Sequence, residues 1–224
     1  MTYIVSDIHG YFDLFLKLLD KINFSQDDEL ICCGDLIDKG PNSVKLIRFV
    51  KEQSNMHCIL GNHEYSVLKD YYSMLQNSTV DFDEILQRLQ TYFPDGKLDW
   101  DLIGWLETLP AFIERSDFIC VHAGIPLGAD GKLIPFDKTS VEQLVYDRRF
   151  KDADVIPKSD KTVFFGHTPS SYLINENKII TYRRKDSNTN LIKDFYKVHL
   201  DIGVWLHGRL GCFCVETCQE FYVE

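Results

Sequence analysis

The chain has 224 residues, 45% of them hydrophobic and 26% charged, the balance of an ordinary folded domain and not of a disordered or collagen-like chain. At this length roughly 70% of the unfolded surface is buried on folding, enough for a core without staples. The 24 basic against 34 acidic residues leave a net charge of −10, which opposes a nuclease with a long basic groove, stable nucleic-acid binding and a polybasic membrane surface.

No apolar run approaches the roughly 20 residues of a membrane span, and Met1-Thr2-Tyr3-Ile4-Val5 enters a strand without the charged region of a secretion signal. Seven cysteines is an odd number, and Cys32, Cys33, Cys58 and Cys120 lie inside apolar runs, where thiols pack as small hydrophobes. A reduced, cytoplasmic protein is expected. Cys212, Cys214 and Cys218 form a C-x-C-x3-C cluster, but the first two share the alternation of a strand and the paired spacing of structural zinc is missing.

In chain order, the apolar run 2–5 ends in Ser6-Asp7-Ile8-His9-Gly10, after which Phe12, Phe15, Leu16, Leu18, Leu19 and Ile22 recur at helical spacing. The run 29–33 ends in Gly34-Asp35, and Val44, Ile47 and Val50 mark a second helix. The run 56–60 ends in Gly61-Asn62-His63-Glu64, followed by a helix over 64–75. Three repeats of apolar run, polar turn and amphipathic stretch predict a layered α/β fold with a parallel sheet. Residues 76–110 break this rhythm, with helical period around 82–89 and 98–106, and read as a cap inserted into a single domain spanning 1–224. The sheet resumes with 118–121 before His122 and with 162–165 before Gly166-His167. Runs 178–181, 197–202, 210–215 and 220–223 predict further, antiparallel strands, and the polar run 183–190 a loop.

Metal-ligand residue types collect where the predicted strands end: Asp7 and His9, Asp35 and Asp38, Asn62 and His63, His122, and His167. Open α/β sheets carry their sites at these carboxyl ends. The set exceeds what one structural ion needs, and two ions sharing a bridging carboxylate fit it better. Asp7 and His9, two apart at one strand end, and Asp35 one strand over make a first site. Asn62, His122 and His167 make a second, with Asp35 between the two.

The blocks Asp7-Ile8-His9-Gly10, Gly34-Asp35-Leu36-Ile37-Asp38-Lys39-Gly40, Gly61-Asn62-His63-Glu64, His122-Ala123-Gly124 and Gly166-His167-Thr168 occur in this order. Together they resemble the calcineurin-like metallophosphoesterase superfamily, and more closely the bacterial and phage branch of its serine/threonine and tyrosine phosphoprotein phosphatases. Leu200-Asp201-Ile202-Gly203 resembles the closing strand, so the resemblance covers most of the chain. It implies a sandwich of central mixed β-sheets flanked by helices, with two divalent ions, manganese in preference to iron, zinc or cobalt. It implies the same two ligand sets, with His63 as general acid, Asp38 as the carboxylate that orients it, and in-line attack by metal-bound hydroxide. For phosphate oxygens it implies Lys39, where the family usually has arginine, and Arg148, from Leu144-Val145-Tyr146-Asp147-Arg148-Arg149, with Arg149 left aside.

Singly, these residues have plainer readings: Asp7 and Asp38 as helix caps, Asn62 in a turn, His122 in a core. Jointly they do not. Glu64 reads as structural, a carboxylate at a helix start, and His57, His199 and His207 as surface or packing residues. The expected substrate is a phosphomonoester, first phosphoserine, phosphothreonine or phosphotyrosine in a protein. The alternatives are symmetrical dinucleoside tetraphosphate hydrolysis, a small-molecule phosphoester, or a catalytically idle binding module. Asp38 and Glu64 lean toward the protein-phosphatase branch, because the tetraphosphatase branch usually lacks the former and carries aspartate at the latter position. The oligomeric state is not legible.

Overall fold

A computed structural model describes residues 1–76, 82–93, 95, 99–157, 160–185 and 187–224. The first three apolar runs become β1 (Thr2–Val5), β2 (Glu29–Cys32) and β3 (Met56–Cys58), joined by α1 (Phe12–Lys21) and α2 (Ser43–Glu52) and followed by α3 (Asn62–Leu75), α4 (Phe82–Leu89) and α5 (Trp100–Glu107). Then come β4 (Phe112–Glu114), β5 (Phe118–Val121), α6 (Val141–Tyr146), α7 (Arg149–Asp152), β6 (Thr162–Phe165), α8 (Ser171–Ile174), β7 (Ile180–Arg183) and β8 (Phe195–His199). The chain closes with α9 (Val204–His207), β9 (Leu210–Cys214) and β10 (Glu220–Val223).

Two five-stranded sheets form, ordered β10-β9-β1-β2-β3 and β4-β5-β6-β8-β7. Strict alternation sorts their side chains. In β1, Tyr3 and Val5 face the layer of α1, α2 and α3, whereas Ile4 joins Ile31, Phe164, Val198 and Phe213 in a core between the sheets. In β6, Val163 and Phe165 turn outward to Leu144 and Phe150, so helices cover the far face of the second sheet as well. This is the layered α/β sandwich with two mixed sheets that the sequence predicts.

Three details depart from it. The run at 197–202 begins earlier, as β8, and pairs parallel with β6 while pairing antiparallel with β7; a pattern of apolar residues carries no strand direction. Arg183 ends β7 instead of opening a loop. β4 has no apolar alternation to announce it, being three half-buried or exposed residues on the edge beside β5.

The cysteines are all unpaired. Cys212 and Cys214 face the first core while Cys218 packs on the core between the sheets, so the three thiols do not share a face. No helix among the described residues is long and apolar enough to cross a membrane. Within the predicted cap, α4 and α5 follow the helical periods; Leu98 and residues 77–81, 94, 96 and 97 lie outside the described residues. Leu102, Ile103 and Leu106 of α5 are buried in the first core.

Candidate metal centre

Strands β1, β2 and β3 run parallel, as do β5, β6 and β8, and the residues after their carboxyl ends meet where the two sheets abut. The His167 amide donates to the Asp7 carboxylate at 3.0 Å, and His122 Nδ1 lies 2.8 Å from the Cys33 carbonyl. Both contacts cross from one sheet to the other. Close approach requires glycine here: a Cβ on Gly61 would stand 2.1 Å from Asp35 Oδ1, and one on Gly166 2.1 Å from Asp7 Oδ2.

The backbone that aims these side chains is strained. Asp7, His9, Asp35, Asp38, Lys39 and His167 all have φ between 49° and 71°. A left-handed conformation costs a non-glycine residue about 1 kcal/mol or more, and such residues gather at functional sites. Composition and periodicity carry no trace of this.

Two groups of ligand atoms result, each within 4.8 Å: His9, Asp35 and His63, and Asp35, His122 and His167. Asp35 belongs to both, its Oδ2 lying 3.5 Å from His122 Nε2 and 3.7 Å from the Nε2 of His9 and of His63. Asn62 joins the second group, with Oδ1 2.7 Å from His167 Nδ1 and 3.0 Å from His122 Nε2. Asp7 stands in neither group. Its carboxylate accepts from the Ser6 hydroxyl and the His167 amide, with its charge near His122 and His9. The expected six ligands are therefore adjacent, and His63 lies among them.

The donor chemistry fits divalent cations. His9 Nδ1 sits 2.9 Å from the Ile37 carbonyl and His122 Nδ1 2.8 Å from that of Cys33. With each Nδ1–H donated to a carbonyl, the Nε2 lone pair of both rings points into the cluster, the second contact that metal-bound histidines use. Burial pushes the imidazoles of His9 and His167 down to about 3 and about 2, so both rings are neutral and free to offer a lone pair to a cation. Burial, then the Asp7 charge, pushes the Asp35 carboxyl well up. His167 Nε2 is buried without a hydrogen-bond partner. Lone pairs that face one another in a dry site need positive charge between them.

Beside the ligands, His63 Nδ1 is 2.8 Å from Asp38 Oδ2. Burial alone would lower the His63 imidazole, but the Asp38 hydrogen bond and the Asp35 charge outweigh it and hold it above its ordinary value. The same bond draws the Asp38 carboxyl down to about 2. The pair joins an imidazole whose proton affinity is raised to a carboxylate whose own is lowered. Lys39 Nζ lies 3.2 Å from His9 Nε2, and Arg148 Nη1 donates to Thr168 Oγ1 at 2.9 Å and to the His167 carbonyl at 3.4 Å. Arg149 turns away to pair with Asp147.

Glu64 does more than face a helix dipole. Fully buried, it accepts from the amides of Asp35 at 2.9 Å, Leu36 at 2.8 Å, Ile37 at 3.3 Å and Gly61 at 3.0 Å, stapling the β2 and β3 loops together. Glu64→Ala strips a buried carboxylate from four amides and is expected to cost about 3 kcal/mol, read as a lower urea midpoint, with Glu64→Gln costing less. A loss below about 1 kcal/mol would mean that water replaces the staple. Of the histidines set aside in the sequence, His57 is half-buried beside Glu29, His207 Nε2 meets Ser171 Oγ at 3.0 Å, and His199 is buried, stacked on Phe165.

Comparison with known proteins bears on this centre directly. Among curated proteins, a symmetrical bis(5'-nucleosyl)-tetraphosphatase of Vibrio parahaemolyticus serotype O3:K6 is 36% identical over 126 residues, covering 55% of this chain and 44% of that protein. One of Erwinia tasmaniensis is 34% identical over 128 residues, with the same two shares. The match thus spans under half the length of these relatives. A crystal structure named a "putative diadenosine tetraphosphatase" superposes with a TM-score of 0.70 at 21% identity, covering 99% of this chain and 92% of that one. A cold-active protein-tyrosine phosphatase of a psychrophilic Shewanella superposes at 0.57 with 15% identity, covering 100% and 80%. At these identities both structures share the fold alone. The curated relatives carry the tetraphosphatase name, not that of the serine/threonine phosphatase branch toward which Asp38 and Glu64 lean. A family model described as calcineurin-like phosphoesterase matches residues 2–208, which hold every residue of the centre, and the chain belongs to that family.

Proposed function

We propose that this chain is a two-metal phosphoesterase that cleaves dinucleoside polyphosphates symmetrically, as the names of its curated relatives describe those proteins. What carries the reading is the match to curated tetraphosphatases, 36% identical over 126 residues and 34% over 128, and the two cationic side chains suit it. Lys39 Nζ lies against the His9 imidazole of one ligand group, Arg148 donates to the backbone carbonyl of His167, whose imidazole is in the other, and Asp35 is common to both groups. Two separate cations beside the shared carboxylate can hold oxygens of neighbouring phosphates in one chain.

Asp7, His9 and Asp35 would hold one divalent ion, and Asp35, Asn62, His122 and His167 the other. When bound, such a pair acidifies water and neutralises phosphoryl oxygens. His63 holds a proton at Nε2 for the departing phosphate oxygen, while Asp38 fixes its Nδ1 and so the direction of the ring. Lys39 and Arg148 bind phosphoryl oxygens. Manganese is the metal we assign, from the family resemblance. Residues 76–110 are read as an insertion within one domain, with α5 anchored on the first core.

Arg148→Ala is expected to weaken inhibition by inorganic phosphate about tenfold, because one charge-assisted donor pair is lost. Arg149→Ala, whose guanidinium already serves Asp147, is the control. Equal effects of the two changes would remove Arg148 from the site.

A second reading keeps the phosphoprotein branch, and one observation favours it: Asp38, which the tetraphosphatase branch usually lacks, lies 2.8 Å from His63. Product analysis separates the two. Metal-stripped protein given manganese is incubated with diadenosine tetraphosphate and, in parallel, with a phosphopeptide mixture. Water and diadenosine tetraphosphate yielding two molecules of ADP support the proposal; phosphate release from the peptides alone would replace it with the second reading.

A further inference from the structure

At the rim of the centre stands a tryptophan that the fold does not use. Trp205 is 37% exposed and, among the described residues, packs on none of the three hydrophobic cores. Its ring lies 4.6 Å from Lys39 Nζ, and that ammonium is 3.2 Å from His9 Nε2. One lysine thus reaches from the indole to the ligand cluster. A single exposed aromatic residue is ordinary on a surface, but here the ring is joined to the metal centre through a cation that attracts phosphate.

The turn that presents the ring is braced from beneath. The buried Asp201 carboxylate accepts from the Gly203 amide at 2.8 Å, Gly203 takes φ +74°, and Val204 is buried, which leaves Trp205, next along α9, at the surface. His207 on the same turn meets Ser171 of α8. Tyr146, a second exposed ring near the cluster, is already engaged: its hydroxyl is 2.7 Å from Ser66 Oγ, and Tyr65 and His167 meet its ring edge-on at 6.1 and 6.4 Å.

We propose that Trp205 is the stacking platform for one nucleoside of the substrate, with Lys39 holding the phosphate nearest that nucleoside. The inference rests on the dinucleoside reading above. The Lys39 ammonium stands 4.6 Å from the centre of the indole ring, a separation on the scale of the ribose between a base and its first phosphate, so a phosphate at Lys39 is within reach of a base on the indole. Every base has a π-face, so the platform favours nucleotides over phosphoamino acids without selecting strongly among bases.

The test uses the manganese-loaded full chain with Trp205→Ala and Trp205→Phe. In Trp205→Ala the KM for diadenosine tetraphosphate, taken as a ratio to the inhibition constant of inorganic phosphate, is expected to rise about tenfold, with kcat for the dinucleotide changed less than about threefold. Trp205→Phe recovers most of the ratio. Independently of turnover, ADP quenches indole fluorescence in a Trp100→Phe, Trp105→Phe background, and adding Trp205→Phe removes the signal. An unchanged ratio, or no quenching in that background, overturns the platform. If the wild type leaves diadenosine tetraphosphate intact while ADP still quenches Trp205, the platform stands and the tetraphosphatase reading falls.

Discussion

Replacing Asp35 with asparagine is expected to empty the centre. Asp35 is the one carboxylate common to both ligand groups, with Oδ2 between 3.5 and 3.7 Å from three imidazole nitrogens and Oδ1 accepting from the His63 amide at 3.0 Å. Asparagine keeps the shape and the amide acceptor but removes the charge that two cations would share. Metal content, read by mass spectrometry after dialysis, should fall from two ions per chain to below one. Turnover should fall about 10³-fold, since the metals contribute several kcal/mol of transition-state stabilisation. The metal-free protein should lose no stability, because burial disfavours the Asp35 charge and the substitution removes a buried ionisable group. A variant that retained two ions would take Asp35 out of its bridging role.

His63→Asn separates two roles that geometry alone leaves adjacent. His63 Nε2 lies 3.7 Å from Asp35 Oδ2, inside a ligand group, yet its Nδ1 is bound to Asp38 in the manner of a general acid. If it holds the proton for the leaving oxygen, kcat falls about 10²- to 10⁴-fold while both ions remain. The loss should also shrink for substrates whose leaving group needs no proton, such as a nitrophenyl ester. Asp38→Asn should follow the same pattern at smaller amplitude, since it removes only the orienting carboxylate. Metal loss in His63→Asn would make the residue a ligand instead.

The parts of this site that were legible in the sequence share one physical property: they sit beside features that report on themselves. Asp7, Asp35, His122 and His167 each follow an apolar run within three residues, and the observed strands end at those run ends, one residue earlier for β2. Arg148 was separable from Arg149 only by family resemblance; the structure adds that Asp147 holds the latter. Glu64 was legible as a helix-start carboxylate, but its four amide partners come from two loops that meet only on folding. The left-handed backbone at Asp7, His9, Asp35, Asp38, Lys39 and His167 leaves no compositional mark, because none of these positions is a glycine. The parallel direction of β8 was hidden for a related reason. Alternation reports which face a residue takes, and pairing direction depends on connections made elsewhere in the chain.

The leaning toward phosphoproteins rested on two residues, Asp38 and Glu64, and the structure gives each a task that is neutral between substrates. Asp38 is hydrogen-bonded to His63 Nδ1, and Glu64 closes a loop junction. The identity of the substrate lies with groups that touch what flanks the scissile phosphate. Lys39, Arg148 and Trp205 are the groups proposed for that task, the first beside His9 and the last beside Lys39.

The central claim is that five strand ends build a centre for two ions bridged by Asp35. Crystals of the manganese-loaded protein, measured at a wavelength where manganese scatters anomalously, test it most directly. The account predicts two anomalous peaks about 3.5 to 4 Å apart, with Asp35 between them, His9 on one and Asn62, His122 and His167 on the other. A single peak, or two peaks that leave Asp35 unligated, would contradict it.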